Sequence, residues 1–118
     1  MKRNLMDSAA KPAFSVSRQH PRIQLEVRVL VLRKHKDERV FGRSADVSLT
    51  GLSVYIPQKL VIEEPVTVEF SLEQNGNPMT LHASVRSQNG YRYGFEIFTN
   101  SEQYAEFERA CRLLACSF

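Results

Sequence analysis

The sequence has no tryptophan, only two cysteines in 118 residues and three scattered histidines. Nor does it contain an apolar run near the roughly 20 residues that a membrane-spanning helix needs. Each shortage removes a class of function. Cys111 and Cys116 are five apart, about 140° of rotation on a helix, which is poor geometry for a bridge between them. They read as structural thiols in a reducing compartment. His20, His35 and His82 have no ligand spacing with one another or with the cysteines, so no metal and no cofactor is expected. No nucleophile stands at motif spacing from a base, and no paired carboxylates occur in a suggestive setting, so enzymatic activity is not expected. Met1 to Ala13 carries basic residues without the hydrophobic stretch of a secretory signal, and the expected location is cytoplasmic.

What is present describes one soluble globular domain. Hydrophobic residues make up 42% of the chain and charged residues 25%, an ordinary globular balance. A chain of this length buries about two thirds of its unfolded surface, enough to fold without staples. The net charge is +3, and it is unevenly placed. Residues 1–43 hold eleven lysines and arginines against four acids, so the first third is basic. That imbalance fits either a phosphate-bearing partner or a solvated basic arm.

Residues 1–16 show no sustained periodicity and read as a flexible arm. From Ile23 to Arg33 apolar and polar residues alternate, with Ile23, Leu25, Val27, Val29 and Val31 on one face, which predicts a strand. Lys34 to Glu38 is a charged turn and Arg39 to Val47 a returning strand. Leu52 to Ile56 alternates again until Pro57 stops it. Val66 to Leu72, Met79 to Ser87 and Tyr91 to Phe98 are three further strands. They are separated by the turn signals Gln74-Asn75-Gly76-Asn77 and Gln88-Asn89-Gly90. Six short strands with such turns predict an antiparallel barrel or sandwich. Over residues 100–118 the period changes: Tyr104, Phe107, Cys111, Leu114 and Phe118 recur at helical spacing, with Asn100 as a cap and Gln103 in the capping-box position. That aromatic stripe is read as packing against the chain's own barrel, and a monomer or weak dimer is expected.

Two short patterns stand out. Asp46-Val47-Ser48-Leu49-Thr50-Gly51 sets a carboxylate and a hydroxyl on one face of a strand end and closes on glycine. Arg18-Gln19-His20-Pro21-Arg22 sets two guanidiniums four residues apart on a segment that proline keeps out of helix. In this order the patterns Arg-x-x-x-Arg and Asp-x-Ser-x-x-Gly resemble the PilZ domain family, over roughly Ser17 to Phe98.

The resemblance implies a mainly β fold, a six-stranded antiparallel PilZ-type β-barrel over residues 17–99 with a C-terminal α-helix over 100–118. It also implies a non-enzymatic receptor for the bacterial second messenger cyclic di-GMP, with Arg18, Arg22, Asp46, Ser48 and Gly51 as the binding residues. The chemistry is consistent with this. A guanidinium meets guanine O6 and N7 together, and a carboxylate accepts guanine N1–H and N2–H together. Arg86 and Gly94 are ligand-adjacent candidates: Gly94 resembles a late strand glycine of the family. Arg86 lies where many members carry an aromatic residue, and its plane offers a stacking surface instead.

The expected partners are cyclic di-GMP and an unidentified protein effector, reached through ordering of the N-terminal arm. No DNA or RNA is expected. The alternative is a protein-interaction adaptor of the same fold that does not bind nucleotide, resembling members linked to type IV pilus assembly. A third reading, a single-stranded nucleic-acid barrel, requires exposed aromatics among basic residues. Tyr91 and Tyr93 are instead read as inward-facing core with Phe95 and Ile97.

Overall fold

The structure is a computed structural model and describes residues 22–72 and 76–116. The expected N-terminal arm, Arg18 and part of the Gln74–Asn77 turn lie outside the described residues. Seven strands and one helix are formed: β1 (Ile23–Gln24), β2 (Arg28–Arg33), β3 (Glu38–Val47), β4 (Gly51–Tyr55), β5 (Pro65–Phe70), β6 (Met79–Asn89), β7 (Arg92–Ile97) and α1 (Tyr104–Cys116). All strand pairings are antiparallel. The order β3-β2-β5-β6-β7-β4 returns to β3, which closes a six-stranded barrel, and β1 is a short extra strand on β3. The expected barrel with a C-terminal helix is the observed fold.

Alternation explains the interior. Val29, Val31, Val40, Val54, Val66, Val68, Leu81 and Val85 are fully buried, each the inward member of its strand. Burying a side chain of this size stabilises the fold by about 1.5–3 kcal/mol. The polar partners of this alternation face outward, and the barrel therefore carries its chemistry on its outer wall.

Three details differ from the sequence reading. The first strand is interrupted over residues 25–27, because the hydroxyl of Ser44 accepts the Val27 N–H at 2.9 Å and donates to the Leu25 carbonyl. A side chain there replaces ladder bonds. The last hairpin keeps Asn89 paired with Arg92, so its loop is Gly90-Tyr91, with Gly90 at φ 64°. A left-handed glycine in a two-residue loop is ordinary hairpin chemistry. Tyr91 consequently stands outside the strand alternation and is 70% exposed, while Tyr93 is buried. Finally, the helix begins at Tyr104, and the Gln103 side chain accepts the Thr80 N–H at 2.6 Å instead of closing a capping box.

The two ends of the barrel are closed differently. At one end α1 inserts Phe107, fully buried, whose ring meets Phe70 edge-on at 6.0 Å. Tyr104 donates to the Leu49 carbonyl at 2.8 Å and ties the helix to the β3–β4 turn. Cys111 is a free buried thiol on this helix, and burial pushes its pKa up to about 11. At the other end Arg33 forms a two-pronged contact with Glu64, at 3.1 and 2.9 Å, and reaches Glu38 at 2.8 Å.

Gly42 is the position where a side chain is excluded most strictly. A Cβ there would lie 2.4 Å from the Tyr55 carbonyl oxygen and under 3 Å from Ile56 and Val54. The nearest obstacle is backbone, which cannot rotate aside. Gly42→Ala is expected to destabilise the barrel by about 1–3 kcal/mol, the usual cost of overpacking. Urea unfolding would measure it, and an unchanged midpoint would mean that β3 and β4 are free to separate.

Candidate ligand-binding face

The Asp46 carboxylate sits on the outer wall because β3 carries a bulge. Pairing with β4 shifts between Ser44 and Asp46, so Ala45 is the extra residue and Asp46 returns to the face opposite the buried Val47. A bulge re-aims a side chain in this way. Although outward, Asp46 is largely covered, with its side chain 10% exposed. Two guanidiniums cover it. Arg22 reaches Oδ1 through Nε at 3.1 Å and through a terminal nitrogen at 2.9 Å. Arg92 reaches Oδ2 at 2.8 Å. Arg22 also donates to the Ser53 hydroxyl at 3.3 Å.

This arrangement differs from a simple ion pair in its exposure. Arg22 and Arg92 are 48% and 43% exposed, so each has one side on the carboxylate and one on solvent. A carboxylate offers about four lone-pair positions; Arg22 takes two on Oδ1 and Arg92 one on Oδ2, which leaves acceptor capacity on Oδ2. The cluster is a cationic rim around an anionic centre, suited to a ligand that carries phosphates and N–H donors together.

The floor beside Asp46 is kept low. Asp46 pairs with Ser53, Ser53 with Gly94, and Gly94 with Ser87 across the sheet. A Cβ on Gly94 would come to 2.4 Å from the Ser87 hydroxyl oxygen. The second bulge lies here too, between Val85 and Ser87 opposite Phe95 and Gly94. The lone strand glycine therefore marks a bulge, as its position suggested, with Arg86 as the additional residue.

The remaining sequence candidates are placed as follows. Ser48 is buried in the β3–β4 turn: its N–H donates to the Gly51 carbonyl at 2.8 Å and its hydroxyl accepts the Thr50 N–H at 3.4 Å. Gly51 begins β4, where a Cβ would meet the Phe95 carbonyl oxygen at 3.2 Å. Both residues shape the turn behind Asp46. Arg86 is not brought to Asp46. It is held by Glu96 at 2.6 Å and by Glu63 at 3.3 Å, which engage its N–H edge.

Arg92 and Ser53 were not singled out from the sequence. The alternation in Tyr91-Arg92-Tyr93-Gly94 puts Arg92 outward with Gly94, which was a usable signal. Its pairing with an aspartate 46 positions away was not.

The structure is thus a closed six-stranded barrel with a helix across one end and an arginine–carboxylate cluster on its outer wall. Among the described residues no group of three His, Cys, Asp or Glu side chains is placed to hold a metal. No helix among them is long and apolar enough to cross a membrane. The chain belongs to the PilZ domain family, whose model matches residues 17–113.

It is 36% identical over 92 residues to an uncharacterized protein of Aquifex aeolicus (strain VF5), a match covering 74% of this chain and 43% of that protein. The chain thus spans less than half the length of that relative. Among solved structures it resembles the PilZ domain of CeSA from a cellulose-synthesizing bacterium, with 26% identity and TM-score 0.61 over 79% of this chain and 93% of that one. It also resembles the PilZ domain of YcgR from Escherichia coli, solved with c-di-GMP, with 16% identity and TM-score 0.65 over 85% and 92% of the two chains. A third is the Bacillus subtilis inhibitor of motility MotI/DgrA, with 15% identity and TM-score 0.68 over 99% and 61%. At these identities the last two are likenesses of fold alone.

Proposed function

We propose that this protein is a receptor for cyclic di-GMP, which it binds on the outer wall of the barrel around Asp46, and that it passes the bound state to a protein partner. The observation that carries this reading is the Asp46 carboxylate held between two half-exposed arginines, Arg22 and Arg92, beside the low strip at Gly94. Membership in a family that includes a domain solved with c-di-GMP supports it.

On this reading Asp46 accepts the N1–H and N2–H donors of one guanine. Arg22 turns from the carboxylate and, together with Arg18, takes phosphate or guanine O6 and N7, geometries that suit the planar guanidinium. Ser48 and Gly51 hold the turn that presents Asp46. Ordering the segment that carries Arg18 costs about 1–2 kcal/mol per residue, and contacts with the ligand offset it. A segment ordered in this manner alters the surface offered to a partner.

Calorimetric titration with cyclic di-GMP tests the reading, with GTP as the control. Saturable binding in the micromolar range or tighter is expected for the wild type. Arg22→Ala should weaken it by about tenfold or more, because a charge-assisted hydrogen bond contributes about 1.5–3 kcal/mol. Absence of heat and of amide chemical-shift changes at high ligand would leave the nucleotide-free adaptor reading in its place.

A further inference from the structure

We infer that the barrel wall carries a second guanine-binding site, one row of residues from Asp46, formed by Glu26, Arg28, Phe41, Arg43 and Tyr55. The inference rests on the cyclic di-GMP reading and names where the other guanine of that ligand goes.

The register builds the site. Arg28 pairs with Arg43, Arg43 with Tyr55 and Tyr55 with Arg92, so these four side chains form one row across β2, β3, β4 and β7. Tyr55 lies two residues from Ser53, the partner of Asp46, which is a step of roughly 7 Å along the strand. A groove of about 410 Å³ opens here, lined by Arg28, Phe41, Arg43 and Tyr55 over Gly42. Its size is within the range of small-ligand sites.

The lining matches a guanine group by group. Phe41 and Tyr55 are 45% and 48% exposed, and the Tyr55 ring offers a flat base a stacking surface. Glu26, on the groove's edge, is a carboxylate able to accept N1–H and N2–H, as Asp46 does in the first site. Arg28 lies over the Phe41 ring at 4.4 Å, and Arg43 is within 3.4 Å of Glu26. The Glu26–Arg43 pair is exposed on both sides, 74% and 60%, so water screens it and it yields readily to a ligand. Arg92 approaches the Tyr55 ring at 5.8 Å while also holding Asp46, which makes it common to both sites.

The test is calorimetry with cyclic di-GMP on the wild type, Tyr55→Ala, Tyr55→Phe and Glu26→Gln, with cyclic di-AMP as a second ligand. It is combined with NOE measurement between Tyr55 ring protons and guanine H8. Tyr55→Ala is expected to weaken binding by roughly tenfold, Tyr55→Phe to restore it, and the wild type to show the NOE. Glu26→Gln should narrow the preference for the guanine ligand over its adenine counterpart. Wild-type binding that is equally tight in Tyr55→Ala and Glu26→Gln, with no NOE, would overturn the second site and leave the Asp46 site standing. A wild type that binds no cyclic di-GMP at all overturns both.

Discussion

Asp46→Ala should lower cyclic di-GMP affinity by at least about a hundredfold while the barrel remains folded. The carboxylate is the one acceptor in the cluster that can meet both guanine donors, and each charge-assisted hydrogen bond lost removes about 1.5–3 kcal/mol. Stability should respond far less. Arg22 and Arg92, released from Asp46, are already nearly half in water, and ion pairs with such exposed partners contribute about 0–1 kcal/mol. Calorimetry and a thermal melt followed by circular dichroism separate the two effects. Wild-type affinity in a folded Asp46→Ala variant would remove Asp46 from the site. Loss of folding would instead show that the two arginines require this carboxylate structurally.

Glu64→Gln should cost about 3–5 kcal/mol at neutral pH, because it leaves the Arg33 charge short of its main partner. Here both side chains are only 6% exposed, and water cannot replace the lost oxygen charge. Burial by itself raises the Glu64 carboxyl. The hydrogen bonds from Arg33 and from the Val61 N–H, at 2.7 Å, outweigh it and hold the group below its ordinary value of 4.5. Since the folded pKa is the lower one, the stabilisation is fully present above about pH 4.5 and is lost as pH falls through the folded value. The difference between wild type and Glu64→Gln should therefore narrow as the pH falls below about 4.5. Denaturant unfolding at several pH values would show it. A gap that stays constant would mean that the ionised pair contributes nothing and that the damage is one of shape.

Much of this molecule is legible in its sequence, for a reason that differs from element to element. The strands are visible because each has one face in the barrel: Val29 and Val31, Val66 and Val68, Tyr93 and Phe95 are buried members two positions apart. The helix is visible because Phe107 and Cys111, four residues apart, both turn to the barrel. Asp46 announces itself through the turn that follows, since Ser48 and Gly51 bond within that turn and need no distant partner. These are local properties, set by side chains within a few positions of one another.

What the sequence by itself determined is therefore the set of strands, their inward residues, the terminal helix and the motif that marks the outer wall. Only the tertiary structure decided which outward residues meet. Register and two bulges bring Arg92 to Asp46, align Arg28, Arg43 and Tyr55 in one row, and commit Arg86 to Glu96. The pairing of β2 with β5 sets Arg33 against Glu64, 31 positions away. The physical reason is that antiparallel neighbours couple residues by strand register, and one inserted residue changes every partner beyond it.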